Sequence, residues 1–173
     1  LRAGRLVGAI FAGHKLGPDP NISSYDTQML EAASGYLNAF LDNAALFAEQ
    51  QDLFMGTIRA LTSSIDAKDS YTRGHSERVA HMAWRLALAS GLTNEQAERV
   101  RIAGLVHDVG KIGVPEAVLT KQGRLTEEEF NAIKLHPEIG HRILTDIAAL
   151  SDILPGVLYH HERFDGRGYP HRL

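Results

Sequence analysis

From Tyr25 to about Asp66 the sequence repeats its apolar residues every seven positions. Leu37, Ala44, Gln51, Ile58 and Ile65 form one register, and Phe40, Phe47, Phe54 and Leu61 follow three residues behind. A stripe of that spacing, held for about four heptads and interrupted only by Gly35 and Gly56, predicts one long helix. A helix of this length cannot bury its stripe alone. Either it packs on its own domain, or it pairs with a second copy of the chain. The stripe runs further than one small core can cover, which favours a homodimer through the long helix, with Gln51 as a polar seam residue that sets register.

What flanks this helix differs on its two sides. "GRLVGAIFAGH" (4–14) has strand character in Leu6, Val7, Ile10 and Phe11, and "KLGPDPNISS" after it is a loop that supplies a helix start near Ser23 or Ser24. Beyond Lys68 come shorter helices. "HSERVAHMAWRLALAS" (75–90) is amphipathic through Val79, Met82, Leu86 and Ala89, with Gly91 as its cap. "TNEQ" (93–96) and "TEEE" (126–129) are capping boxes that open two more helices. Pro137 and Pro155 stand where a first helical turn accepts proline. No second strand is evident, so everything after Lys68 is expected to be all-α.

Composition removes several function classes. With 18 basic against 21 acidic residues the net charge is −3, so a nucleic-acid polymer is not an expected partner. The absence of cysteine excludes a disulfide framework and leaves any metal to histidine and carboxylate, of which the nine histidines are a rich supply. The apolar run "LVGAIFAG" (6–13) is too short to cross a bilayer, and a cytoplasmic location is the default expectation.

Histidines and aspartate gather at the predicted helix ends. His75 opens one helix, His107 and Asp108 close another, His136 precedes Pro137, and His160 and His161 end the last before "ERFDGRGYP". Adjacent residues inside a helix point about 100° apart, but at a helix end neighbours can turn toward one ion. Imidazole suits zinc, iron, manganese, nickel and cobalt, and a carboxylate can bridge two ions with one oxygen to each. Asp108 is the natural bridge. Two ions can clamp a phosphodiester and lower the pKa of water from about 16 towards roughly 7. Lys111, three residues on between Gly110 and Gly113, is either a phosphate-binding point charge or a surface lysine.

"YTRGHSERVA", "HDVGKIGVP", "LHPEIGHRIL" and "HHERFDGRGYP" together resemble the HD-GYP domain, a bacterial subgroup of the His-Asp metal-dependent phosphohydrolases. The resemblance covers the chain from about Asp66 onward. It implies a mainly α fold: an HD-type helical bundle, preceded here by a long signalling helix and a short N-terminal strand remnant. It also implies hydrolysis of cyclic di-GMP to pGpG or GMP on a divalent metal centre, most often iron or manganese. Carried over by motif, His75, His107 and Asp108 would hold one ion, and Asp108 would bridge to a second held by His136, His160 and His161. Asp108 and Lys111 would form the catalytic part, with Lys111 on a substrate phosphate beside Asp165, Gly166 and Arg167. Gly168, Tyr169 and Pro170 complete the signature loop, which the family links to partners including GGDEF-type domains.

Members with three ions carry glutamate four residues before the first histidine, where this chain has Tyr71, so two ions are expected. The family's further helices, with one more aspartate ligand, would follow Leu173. The stretch from Gly4 to Glu49, ending in "NAALFAE", is similar to the close of a GAF sensory domain. The expected division is therefore a GAF-like remnant at 1–48, a signalling helix at 49–66 and the HD-GYP domain at 67–173, truncated at both ends. Two other readings keep the motifs: hydrolysis of another nucleotide or cyclic dinucleotide, and an inactive sensory or partner-binding module. His14, His81, His141 and His171 fall outside the ligand set, and Arg73, Arg78, Trp84 and the acids at 127–129 are expected at surfaces or in site walls.

Overall fold

The computed structural model describes residues 6, 8–13, 15, 16, 19–68 and 74–173. Tyr71, Arg73 and His14 lie outside them. The chain divides into two compact units, Leu1–Met55 and Gly56–Leu173.

Among the described residues of the first unit the expected strand is absent; Val7, which it included, lies outside them. Leu6 and residues 8–13 have no regular secondary structure and are exposed. A strand needs a neighbour to satisfy its backbone N–H and C=O groups, and no second strand exists among the described residues. Helix α1 (Ser24–Lys68) begins as the loop chemistry predicts. The Asp26 carboxylate accepts from the Ser23 backbone N–H at 2.8 Å and from its hydroxyl at 2.6 Å, while Lys15 Nζ reaches the same carboxylate at 2.6 Å. This acid in the first turn also opposes the helix dipole. Leu37, Phe40 and Phe47 of the heptad stripe are exposed in the single chain.

The second unit is a helical bundle. It takes in the end of α1, then α2 (His75–Ala89), α3 (Asn94–Val106), α4 (Glu116–Leu119), α5 (Glu127–Lys134), α6 (His136–Leu144) and α7 (Leu154–Tyr159). Two 3-10 turns, Val109–Gly113 and Ala148–Ile153, join α3 to α4 and α6 to α7. Ile58 and Ile65 of the heptad stripe are buried here together with Thr62 and Asp66, so this part of α1 packs on its own domain. Both capping boxes form: Thr93 with Gln96 starts α3, and Thr126 with Glu129 starts α5. The prolines sit in the first turns of α6 and α7.

One expectation about packing fails. Met82 and Leu86 of α2 are 70 % and 68 % exposed, and the buried face carries Ser76, Ala80 and Ala87 instead. The cause is the close crossing with α3. A Cβ on Gly104 would lie 3.0 Å from the Ala80 Cα, so only small residues fit at this crossing. The core around it is dense: Leu105, Val106, Leu150 and Val157 are essentially inaccessible. Truncating one such leucine to alanine costs about 2–5 kcal/mol.

Candidate metal centre

Each histidine singled out in the sequence sits where a helix starts or stops. Asp66, near the end of α1, accepts from the Ser76 hydroxyl at 2.8 Å and from its backbone N–H at 3.4 Å. Gly74 offers no side chain to cap α2, so this carboxylate takes that role and fixes the turn carrying His75. Beside it α3 runs out at Val106, and His107 and Asp108 turn inward before the 3-10 turn. That turn lies hard against the start of α6. A Cβ on Gly110 would meet the His136 carbonyl oxygen at 1.8 Å, so only glycine lets the His-Asp turn approach His136 this closely.

Asp108 is the hub. Its Oδ2 lies 3.2 Å from His107 Nε2 and 2.8 Å from Lys111 Nζ. Its Oδ1 lies 3.2 Å from His136 Nε2 and 3.9 Å from His160 Nε2. Two groups of possible metal donors share it: His75, His107 and Asp108, and Asp108, His136, His160 and His161, with donor atoms in each group within 4.8 Å of one another. The adjacent pair converges because α7 ends at Tyr159. The chain closes a turn there, Glu162 N–H donating to the Tyr159 carbonyl at 2.8 Å, and the His160 and His161 rings come to 4.3 Å centroid to centroid.

The ring orientations are set from behind. His107 Nδ1 donates to the Gly104 carbonyl at 2.7 Å, His136 Nδ1 to Ile133 at 2.7 Å and His160 Nδ1 to Val157 at 2.8 Å. Each histidine thus bonds the carbonyl three residues earlier, which leaves Nε2 facing the centre with its lone pair. His136 Nε2 and His160 Nε2 stand only 3.0 Å apart. Two imidazole lone pairs at that distance repel, and a cation between them turns the repulsion into coordination. Nitrogen and carboxylate donors without thiolate fit a divalent ion of borderline hardness.

The electrostatics agree. Burial, opposed by His107, His136 and Lys111, would raise the Asp108 pKa, but those neighbours prevail and hold it well below the usual carboxylate range. Burial and the surrounding histidines push His160 down to about 3 and His161 down to about 4, so both rings are neutral near pH 7 and offer lone pairs. Burial also disfavours a charged His107, yet the adjacent Asp108 raises its pKa above the ordinary value. Burial, with the Asp108 charge, lifts Tyr169 to about 12.

The loop after the histidine pair forms one wall. Tyr169 stacks on His161 at 4.5 Å with 19° between the rings, and its backbone N–H donates to the His161 carbonyl at 3.2 Å. Gly168 is buried against the chain at Glu162–Arg163, where a Cβ would come within 2.4 Å of the Arg163 nitrogen. Asp165 is turned outward: its carboxylate takes both Arg163 nitrogens, at 2.9 and 2.6 Å, and the Arg167 backbone N–H at 3.1 Å. It braces the loop and is not among the donors. Gly166, Arg167, Gly168, Tyr169 and Pro170 line a cavity of about 540 Å³ with α5 and α6.

Residues 59–173 match the family model described as HD domain. The chain belongs to the HD domain family. It is 39 % identical over 124 residues to the cyclic di-GMP phosphodiesterase response regulator RpfG of Xanthomonas campestris, covering 68 % of this chain and 32 % of that protein. It is 38 % identical over 131 residues to the cyclic di-GMP phosphodiesterase of Thermotoga maritima, covering 73 % and 35 %. Over its whole length it is 31 % identical to the 3'3'-cGAMP-specific phosphodiesterase 1 of Vibrio cholerae, of which it covers 41 %. The chain thus spans about a third to two fifths of these curated relatives.

Within this HD domain, sequence reasoning brought His75, His107, Asp108, His136, His160 and His161 to one place and put Lys111 beside them. It passed over two residues. Asp66 fixes the start of α2. Glu162 accepts three successive backbone N–H groups, from His171 at 2.6 Å and from Arg172 and Leu173 at 3.0 Å each. Both act on partners that come close only in the fold, and the acid beside the histidine pair was the one local hint. Among the described residues the remaining histidines stay outside. His81 is exposed on Trp84, His141 faces Thr145, and His171 packs on Tyr159.

Proposed function

We propose that this HD domain is of the HD-GYP type and is the catalytic part of a metal-dependent phosphodiesterase that opens cyclic di-GMP to pGpG, GMP or both. The observation that carries the reading is the pair of donor groups joined at Asp108. On this reading His75, His107 and Asp108 would hold one ion, Asp108, His136, His160 and His161 would hold the second, and both ions would be iron or manganese. Bound ions of this kind polarise a phosphoryl group and make water a competent nucleophile near neutral pH. The chain itself supplies orientation and charge. Carbonyls of Gly104, Ile133 and Val157 hold three rings in one tautomer. Lys111, paired with Asp108, lies close enough to the centre to meet a phosphate oxygen.

Around this centre the proposal includes a cytoplasmic signalling protein. Residues 1–48 are read as the close of a GAF-like sensor, 49–66 as a signalling helix, and 67–173 as part of the phosphohydrolase. A homodimer forms along α1, where Leu37, Phe40 and Phe47 are exposed, and GGDEF-type domains dock at the loop ending in Gly168, Tyr169 and Pro170. Among the described residues no helix is long and apolar enough to cross a membrane.

The test is turnover by the intact natural protein loaded with iron or manganese. Cyclic di-GMP should be hydrolysed by the wild type and not by Asp108→Ala; equal turnover by both would sink the reading. The match to a cGAMP-specific enzyme along the whole chain favours a second substrate. A panel with 3'3'-cGAMP beside cyclic di-GMP ranks the two.

A further inference from the structure

We infer that the cavity beside His160 and His161 seats one nucleotide of the substrate, and that Phe130 and Lys134 of α5, with Arg167, build that seat. This rests on the phosphodiesterase reading and adds two residues that lie in none of the four motifs.

The cavity holds about 420 Å³, within the range of small-molecule sites. Its inner wall is His160 and His161, half of the four-donor group, so an occupant adjoins the centre. The charges around it are unbalanced in a specific way. Glu162, an acid in the wall, is committed to the N–H groups of His171, Arg172 and Leu173. Arg163 is committed to Asp165. Among the described residues the Arg167 guanidinium has no protein partner, and the Lys134 ammonium has a 3.3 Å contact with the Asn131 side chain and the Phe130 ring beneath it, but no acid. Two cations therefore face the cavity without an acid of their own, which suits a phosphate.

The same wall carries an aromatic surface. Phe130 and Lys134 are four residues apart on α5 and share its face. The Lys134 Nζ lies 4.5 Å from the Phe130 ring centre, and Phe130 as a residue is 45 % exposed. An exposed ring gives a flat base something to stack on. Tyr169, stacked on His161, lines the same cavity. A ligand that joins a phosphate to a flat base satisfies both requirements, and a nucleotide is that ligand. Phe130 and Lys134 are positioning residues here: they hold a part of the substrate that does not react.

The experiment compares wild type, Phe130→Ala and Lys134→Met in the intact, manganese-loaded protein. Each variant should raise KM for cyclic di-GMP at least tenfold, change kcat less than threefold, and leave the manganese content and the helical circular-dichroism signal at the wild-type values. An unchanged KM for the dinucleotide overturns the inference. So does a loss of manganese or of helical signal alongside the rise in KM, because that reports damage to α5. Calorimetric titration with cyclic di-GMP is run in parallel and needs no turnover. A wild type that binds without hydrolysing breaks the phosphodiesterase reading, and the seat then stands on a tenfold weaker affinity in both variants and falls without it. A wild type that neither binds nor hydrolyses cyclic di-GMP overturns both.

Discussion

The two donor groups that meet at Asp108 are built to different standards. In the four-donor group, His136 is fully buried, His136 and His160 are pinned through Nδ1 to backbone carbonyls, and Tyr169 stacks on His161. In the three-donor group, His107 is pinned in the same way, but His75 is not. Among the described residues the His75 ring packs on His107 at 5.5 Å and has no hydrogen-bond partner, and its position comes from the helix start that Asp66 secures. Preorganised donors lose less freedom on binding an ion. The four-donor group should therefore bind first and hold harder.

Substitutions can break that ranking. Asp108→Ala removes the shared carboxylate and should empty both groups, with elemental analysis reading close to zero and turnover down on the order of a thousandfold or more. Metal retained at the wild-type level would refute the shared hub. Gly110→Ala comes next. Its new Cβ collides with the His136 carbonyl, the 3-10 turn and α6 must separate, and a destabilisation of about 3 kcal/mol or more is expected by chemical denaturation, together with loss of the four-donor ion. A midpoint like that of the wild type would show that the approach of the two backbones is not needed. The direct comparison is His160→Ala against His75→Ala. Saturating manganese stabilises a protein by about 2.7 kcal/mol at a hundred times Kd. His75→Ala should keep most of the manganese-induced rise in melting temperature and lose one ion, whereas His160→Ala should lose most of the rise. The reverse order would overturn the ranking.

Why the donors were legible in the sequence while their supports were not is a matter of range. Thr93, Thr126 and the two prolines mark helix ends through interactions within three or four residues, and the histidines gather at those ends. The buried face of α2 was misread because Met82 and Leu86 follow the helical period as well as Ala80 and Ala87 do; only the close crossing at Gly104 selects the small residues. The heptad stripe likewise reads as one seam, yet Ile58 and Ile65 pack in the second unit while Leu37, Phe40 and Phe47 are exposed in the single chain. The expected strand at the N-terminal end had the right composition and, among the described residues, no neighbour to pair with. The acid Glu162 was visible beside the histidine pair but its role was not, because its partners follow nine to eleven residues later, across the whole glycine loop.

Glu162 gives the finest test of the comparison, because it supports the four-donor side without donating to it. Its carboxylate gathers the N–H groups of His171, Arg172 and Leu173 and so ties the chain after Pro170 back to the histidine pair. Hydrogen bonds to a charged group contribute about 1.5–3 kcal/mol when fully made, and less where solvent reaches them as it does here. Glu162→Gln keeps the shape, removes the charge and turns one acceptor oxygen into a donor that faces N–H groups. The melting temperature should fall by a few degrees, metal content should be unchanged, and the stacking of Tyr169 on His161 should loosen, read as increased quenching of tyrosine fluorescence by an added solute in a variant with Trp84→Phe. A drop in metal content as large as that of His160→Ala would place Glu162 within the donor group itself, and the separation of donors from supports would have to be redrawn.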